Sequence, residues 1–88
     1  MDVEFTPGFN KNVTKLHDRN IKDAIIDAIE NIKAANKPGN IHNMEGIKGF
    51  KTYFRVRIGD YRIGIRILNN KVYFIKVGHR KDIYKLFP

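Results

Sequence analysis

The 88-residue chain carries 17 lysines and arginines against 9 aspartates and glutamates, a net charge of +8, and no cysteine. That length suits one domain, residues 1–88, with a modest core. The composition excludes a disulfide framework, a thiol nucleophile and a cysteine-based zinc site, and no stretch approaches the ~18 apolar residues of a membrane span. With no apolar run of signal length at the N-terminus, the expected setting is a reducing cytoplasm, with no membrane partner. The charge is uneven. Up to Gly46 there are six basic and seven acidic residues; beyond it, eleven basic residues face only Asp60 and Asp82. A one-sided basic field points to a nucleic-acid, phospholipid or acidic-protein partner, and phospholipid is the weakest because no basic amphipathic helix is present.

Val3 and Phe5 flank Glu4 in a short alternating segment, the first expected strand, stopped by Thr6-Pro7-Gly8. Phe9, Val13 and Leu16 recur at helical spacing and predict a short helix ending near Asp18. Asn20 is suited to cap a second helix. Its apolar stripe is Ile21, Ile25, Ala28, Ile29 and Ile32, and Lys37-Pro38-Gly39 ends it. Residues 41 to 50 read as irregular, with Gly46 and Gly49 as turn points and Glu45 as a loop residue.

From Tyr53 to Leu68 two alternating runs are joined by Gly59-Asp60, which predicts a hairpin with strands at about 52–58 and 61–68. With those two residues as the loop, Ile58 pairs with Tyr61, Arg57 with Arg62, Arg55 with Gly64 and Tyr53 with Arg66. Phe54, Val56, Ile58, Tyr61, Ile63, Ile65 and Ile67 share the core face. Arg55, Arg57, Arg62 and Arg66 crowd the other. Like charges across a ladder are destabilising, so the arrangement points to a polyanion lying over that face.

Asn69-Asn70 is a turn signal, followed by a third strand over 71–77. A two-residue loop here would put Lys76 on the core face. A three-residue loop is preferred because it buries no lysine: Tyr73, Ile75 and Val77 join the core, while Lys76 and Arg80 point to the arginine face. Gly78 opens a basic tail running from His79 to Pro88. The expected fold class is α+β, in the order β-α-α-β-β-β: two N-terminal helices on one face of an antiparallel sheet, plus a short C-terminal extension. His17 and His42 have no paired ligands, and neither metal nor cofactor is expected.

The Arg-x-Arg strand, the Asp-Tyr-Arg turn exit and the terminal Val-Gly-His-Arg-Lys-Asp-Ile-Tyr together resemble the RelE/ParE toxin superfamily, on its RelE-like side. The resemblance spans essentially the whole chain. It implies the toxin half of a type II toxin–antitoxin pair, a metal-independent endoribonuclease that cuts messenger RNA in the ribosomal A site. In such toxins the substrate's 2′-hydroxyl attacks the adjacent phosphate, leaving a 2′,3′-cyclic phosphate and a free 5′-hydroxyl. It also implies mRNA and the ribosome as partners, together with a cognate antitoxin that is acidic or partly disordered. The alternative is a ParE-like gyrase inhibitor without nuclease activity.

Carried over by position, Arg55 and Arg57 fall where RelE proper has catalytic lysines. Arg62 is the arginine after the turn, Arg80 the arginine after the last strand, and Tyr84 the C-terminal tyrosine. Arg62 and Arg80 are the expected phosphate stabilisers, since a planar guanidinium can take two phosphate oxygens together. Arg55 and Arg57 stabilise or position. Arginine is not a usable base, which leaves His79 or Tyr84 for the 2′-hydroxyl proton, and the residues do not choose between them. Tyr84 could instead stack on a base, or anchor the tail with Ile83 and Phe87. Arg66, Lys76, Lys81 and Tyr53 are assigned to RNA binding.

Overall fold

The computed structural model describes residues 1–88 as one five-stranded sheet with three helices. In chain order these are β1 (Asp2–Phe5), α1 (Pro7–Thr14), α2 (Arg19–Ala34), β2 (Met44–Ile47), β3 (Phe50–Ile58), β4 (Tyr61–Leu68), β5 (Lys71–His79) and α3 (Arg80–Leu86). A 3-10 turn at Pro38–Asn40 precedes β2. The sheet order is β1-β5-β4-β3-β2, antiparallel throughout except that β1 joins β5 in parallel.

Capping fixes where the first two helices begin. Thr6 Oγ1 accepts from the Phe9 amide at 3.3 Å and donates to Phe74 O at 2.8 Å, tying the start of α1 to β5. For α2 the cap is Asp18, two residues earlier than the expected Asn20: its Oδ1 accepts from the amides of Asn20 (2.8 Å) and Ile21 (3.3 Å). A carboxylate also opposes the positive end of the helix dipole, which the Asn20 amide could not do as well. Asp18→Ala is therefore expected to cost about 1 kcal/mol, read as a lowered urea midpoint with an unchanged slope.

Packing bears out the apolar stripe of α2: Ile21, Ala28 and Ile29 are partly buried against the core. Ile25 and Ile32 are buried against Val56, Ile63, Ile65, Val72, Phe74 and Val77, while Ile26, off the stripe, is exposed. Phe9 and Phe5 close the open end of this core through aromatic contacts to Phe74, with centroids 5.3 and 5.1 Å apart. At the outer edge Lys71 Nζ donates to Glu4 Oε1 at 2.9 Å. That hydrogen bond, with the carboxylate's charge, raises the ammonium's pKa above its ordinary value.

The β3–β4 pairing matches the expected register at every position, from Tyr53 opposite Arg66 to Ile58 opposite Tyr61. β5 departs from expectation. Its loop is the two-residue Asn69-Asn70, both at positive φ (50° and 62°), which is the signature of a type I′ turn. Val72 and Phe74, rather than Tyr73 and Ile75, enter the core. The register then shifts: Ile65 faces Phe74, but Gly64 faces Lys76 and Ile63 faces Val77, leaving Ile75 as an extra residue. This β-bulge resolves the conflict between turn and lysine. The strand leaves the turn in one register and ends in the other, so no lysine is buried.

The C-terminal extension is also more than a tail. It forms α3, which crosses the sheet face opposite α1 and α2 and buries Ile83 and Phe87 there.

Candidate nucleic-acid interface and active site

Directly opposed residues of an antiparallel pair share a face, so the pairings define the site. Arg55, Arg57, Arg62 and Arg66 occupy one side of β3 and β4. Lys76 extends that side onto β5 opposite Gly64, and Glu45 extends it onto β2 opposite Arg55. The C-terminal helix and Phe87 cover the middle of this face, burying Arg62 and Gly64, while Arg55, Arg66 and Lys76 are half-buried and Arg57 is exposed. The larger clefts lie elsewhere, between α2 and β3 and between α1 and α2, so this face suits an extended polymer better than an enclosed small molecule.

Arg62 is the one buried charged side chain, 6% exposed. Its Nη1 donates to Gly59 O at 2.7 Å and Tyr61 O at 2.9 Å, which pins the guanidinium against the β3–β4 turn. Nε is buried without a hydrogen-bond partner, and no carboxylate lies within 4.0 Å. A buried cation normally requires a counter-charge, because desolvation costs it several kcal/mol. Arg62 has none within the chain.

Arg55 stands beside it. Its Nε is 3.6 Å from Glu45 Oε1, an ion pair too long for a hydrogen bond. Tyr84, half exposed on α3, engages both guanidiniums: its ring centroid is 4.6 Å from Arg55 Cζ and 5.8 Å from Arg62 Cζ. Such cation–π contacts fix the ring in place and draw the two cations together.

The remaining expected site residues are spread more widely. Arg57 is exposed, directly across from Arg62. His79 ends β5 and caps α3, its Nδ1 accepting from the Lys81 amide at 3.2 Å. With that lone pair committed, the neutral ring carries its proton on Nε2. His79 packs edge-on against Tyr61, its cross-strand partner, at 5.7 Å. It therefore stands at the rim, on the Tyr61 side of the strands rather than the Arg62 side. Arg80 and Lys81 are exposed at the start of α3, and the Arg80 amide donates to Asp60 O at 2.8 Å, joining the helix to the hairpin tip. Arg66 lies over the Tyr53 ring at 4.9 Å and donates from Nε to Thr52 Oγ1 at 3.1 Å. No three histidine, aspartate or glutamate side chains converge into a metal-ligand set.

Sequence reasoning passed over three residues of this face: Glu45, taken as a loop residue, and Gly64 with Phe87. Glu45 is the carboxylate paired with Arg55, while Glu4 pairs with Lys71 at the far edge of the same side. Phe87 lies against Gly64 and edge-on to Tyr53, and is as buried as Arg62.

Residues 3–84 match the family model described as ParE toxin of type II toxin–antitoxin system. Toxin RelE3 of Methanocaldococcus jannaschii is 36% identical over 87 residues, covering 99% of this chain and 88% of that protein. The crystal structure of a RelB–RelE antitoxin–toxin complex from Methanococcus jannaschii contains a chain with 33% identity and a TM-score of 0.76, covering 96% of this chain and 98% of its own. The isolated RelE toxin of E. coli shares the fold at 15% identity, with a TM-score of 0.67 and coverage of 96% and 90%. The match over almost the whole length, at more than 30% identity, agrees with the basic hairpin and C-terminal motif: the chain belongs to the RelE/ParE superfamily of type II toxin–antitoxin toxins.

Proposed function

We propose that this toxin is an endoribonuclease that cleaves messenger RNA in the ribosomal A site without a metal, and that a cognate antitoxin of acidic or partly disordered character holds it inactive. The observation that carries this reading is Arg62: a pinned, buried guanidinium with no anion of its own. A phosphate diester supplies the missing charge. The antitoxin partner is supported by the relative crystallised as a RelB–RelE complex.

The chemistry divides among the residues as follows. Glu45 accepts the proton of the substrate's 2′-hydroxyl as that oxygen bonds to phosphorus. Arginines cannot serve, Tyr84 would first have to lose its own proton, and His79 has its Nδ1 lone pair committed to the helix cap. Arg62, with Arg55 and Arg80, meets the charge that builds on the phosphorane oxygens. The bond to the 5′-oxygen breaks, and the Tyr84 phenol returns a proton to it. Products are a 2′,3′-cyclic phosphate and a free 5′-hydroxyl. Arg57, Arg66, Lys76, Lys81 and Tyr53 hold the strand, and His79 positions α3 and hence Tyr84.

Incubating the chain with translating ribosomes and a defined message tests the proposal. The expected products are fragments ending in 2′,3′-cyclic phosphate, cut within the A-site codon. Intact messages together with trapped gyrase–DNA complexes in arrested cells would move the assignment to the gyrase-inhibitor branch.

A further inference from the structure

Gly64 lies in the middle of β4, with Arg55 opposite on one side and Lys76 on the other. Glycine inside a strand marks a close approach to the backbone. Here the visitor is a ring: a β-carbon at position 64 would stand 2.8 Å from Cγ, Cδ1 and Cε1 of Phe87 alike. A point equidistant from three ring carbons lies on the normal through the ring centre. The Phe87 ring therefore rests flat, face to backbone, on a floor that only glycine leaves open.

Tyr53 walls the slot on one side, edge-on to Phe87 with centroids 5.7 Å apart and planes at 67°. Arg66 covers Tyr53 from above. Arg62 and Arg66 flank Gly64 two residues away in each direction, roughly 7 Å along the strand. The result is a flat-floored, aromatic-walled space, one planar ring wide, with guanidiniums on either side. Its occupant, Phe87, follows a seven-residue helix whose one buried side chain is Ile83.

We infer that the Gly64 slot is a nucleobase subsite, and that Phe87 fills it in the free chain as a removable stand-in for a base of the RNA strand. The inference rests on the ribonuclease reading above. A planar base laid on Gly64 stacks edge to Tyr53, while its flanking phosphates reach Arg62 and Arg66. The His79 cap and the buried Ile83 still hold α3, so Phe87 can swing out while Tyr84 keeps its place over Arg55 and Arg62. Phe87 thus competes in cis, and the apparent affinity falls by the fraction of time the slot is filled.

The test uses the full chain and a non-cleavable 2′-O-methyl RNA hexamer, beside an abasic copy and a mononucleotide. Phe87→Ala is expected to bind the intact hexamer about tenfold tighter than the parent, with the abasic copy unchanged. Gly64→Ala raises the floor and also pushes the Phe87 ring off it, so it is expected to abolish the preference for intact over abasic strand, both alone and beside Phe87→Ala, where that ring is already gone. Equal gains for the intact and abasic strands would overturn the base subsite while leaving RNA binding standing. So would an unchanged preference in Gly64→Ala. A mononucleotide binding as tightly as the hexamer overturns the assignment to a strand. Failure of every variant and the parent to bind either hexamer overturns the base subsite, while the ribonuclease reading stands or falls separately on cleavage with translating ribosomes.

Discussion

Arg62→Met is expected to yield a chain that is more stable than the parent and almost inactive. The parent buries a permanent positive charge with two backbone acceptors and no counter-ion. Replacing such a group with an apolar side chain of similar length is often neutral or stabilising. Its two acceptors, Gly59 O and Tyr61 O, lie beside the exposed turn, where water can replace the lost donor. A gain of about 1 kcal/mol follows, readable from urea midpoints. Loss of a preorganised donor at the phosphorane should cost about 10²–10³ in the rate of message cleavage. Arg62→Lys separates charge from geometry. An ammonium keeps the charge but cannot hold two carbonyls and present a planar fork to phosphate, so it should be nearly as inactive. A stable, fully active Arg62→Met chain would remove the basis of the ribonuclease proposal.

Glu45→Gln is expected to slow cleavage by about 10²–10⁴, the usual range for a positioned general base. RNA binding should hold or tighten slightly, because a negative charge leaves a basic face. Folding should scarcely change, since the pair with Arg55 is partly exposed and such pairs contribute little. If Glu45→Gln cleaves at the parent's rate, the proton goes elsewhere, and Tyr84→Phe is the variant to measure next.

The hairpin could be read from sequence because two signals agree there: strict alternation on both sides and a two-residue glycine turn between them. The turn fixes the register, and the register fixes which arginines share a face. Glu45 could not be found this way. Strand β2 is only four residues, Met44–Ile47, with a glycine inside it and no alternation to mark it. Even a reader who placed a hairpin turn at Lys48-Gly49 would have continued the ladder regularly and set Glu45 against Thr52. The irregularity between Gly46 and Ile47 instead sets it against Arg55.

Helix α3 was hidden for a different reason. Seven residues are too few to show helical periodicity, and they hold their shape here through tertiary packing of Ile83 and Phe87 and a histidine cap. The choice between two registers for β5 was a real conflict in the sequence. What could not be foreseen was that one strand would adopt both.

The extra residue at Ile75 makes β5 two segments with separate obligations. Before it, alternation answers to the core and to β1, through Val72 and Phe74. After it, alternation answers to the polyanion side, through Lys76, and to the core again at Val77. Substitutions that repack the first segment leave the second segment's outward residues where they are. Deleting Ile75 would leave Ile65–Phe74, Gly64–Lys76 and Ile63–Val77 as one regular ladder, with Lys76 still outward and Val77 still inward. A deletion on either side of it, with Ile75 retained, turns side chains of that segment to the wrong face, so position 75 is where this strand can shorten and keep its outward lysine.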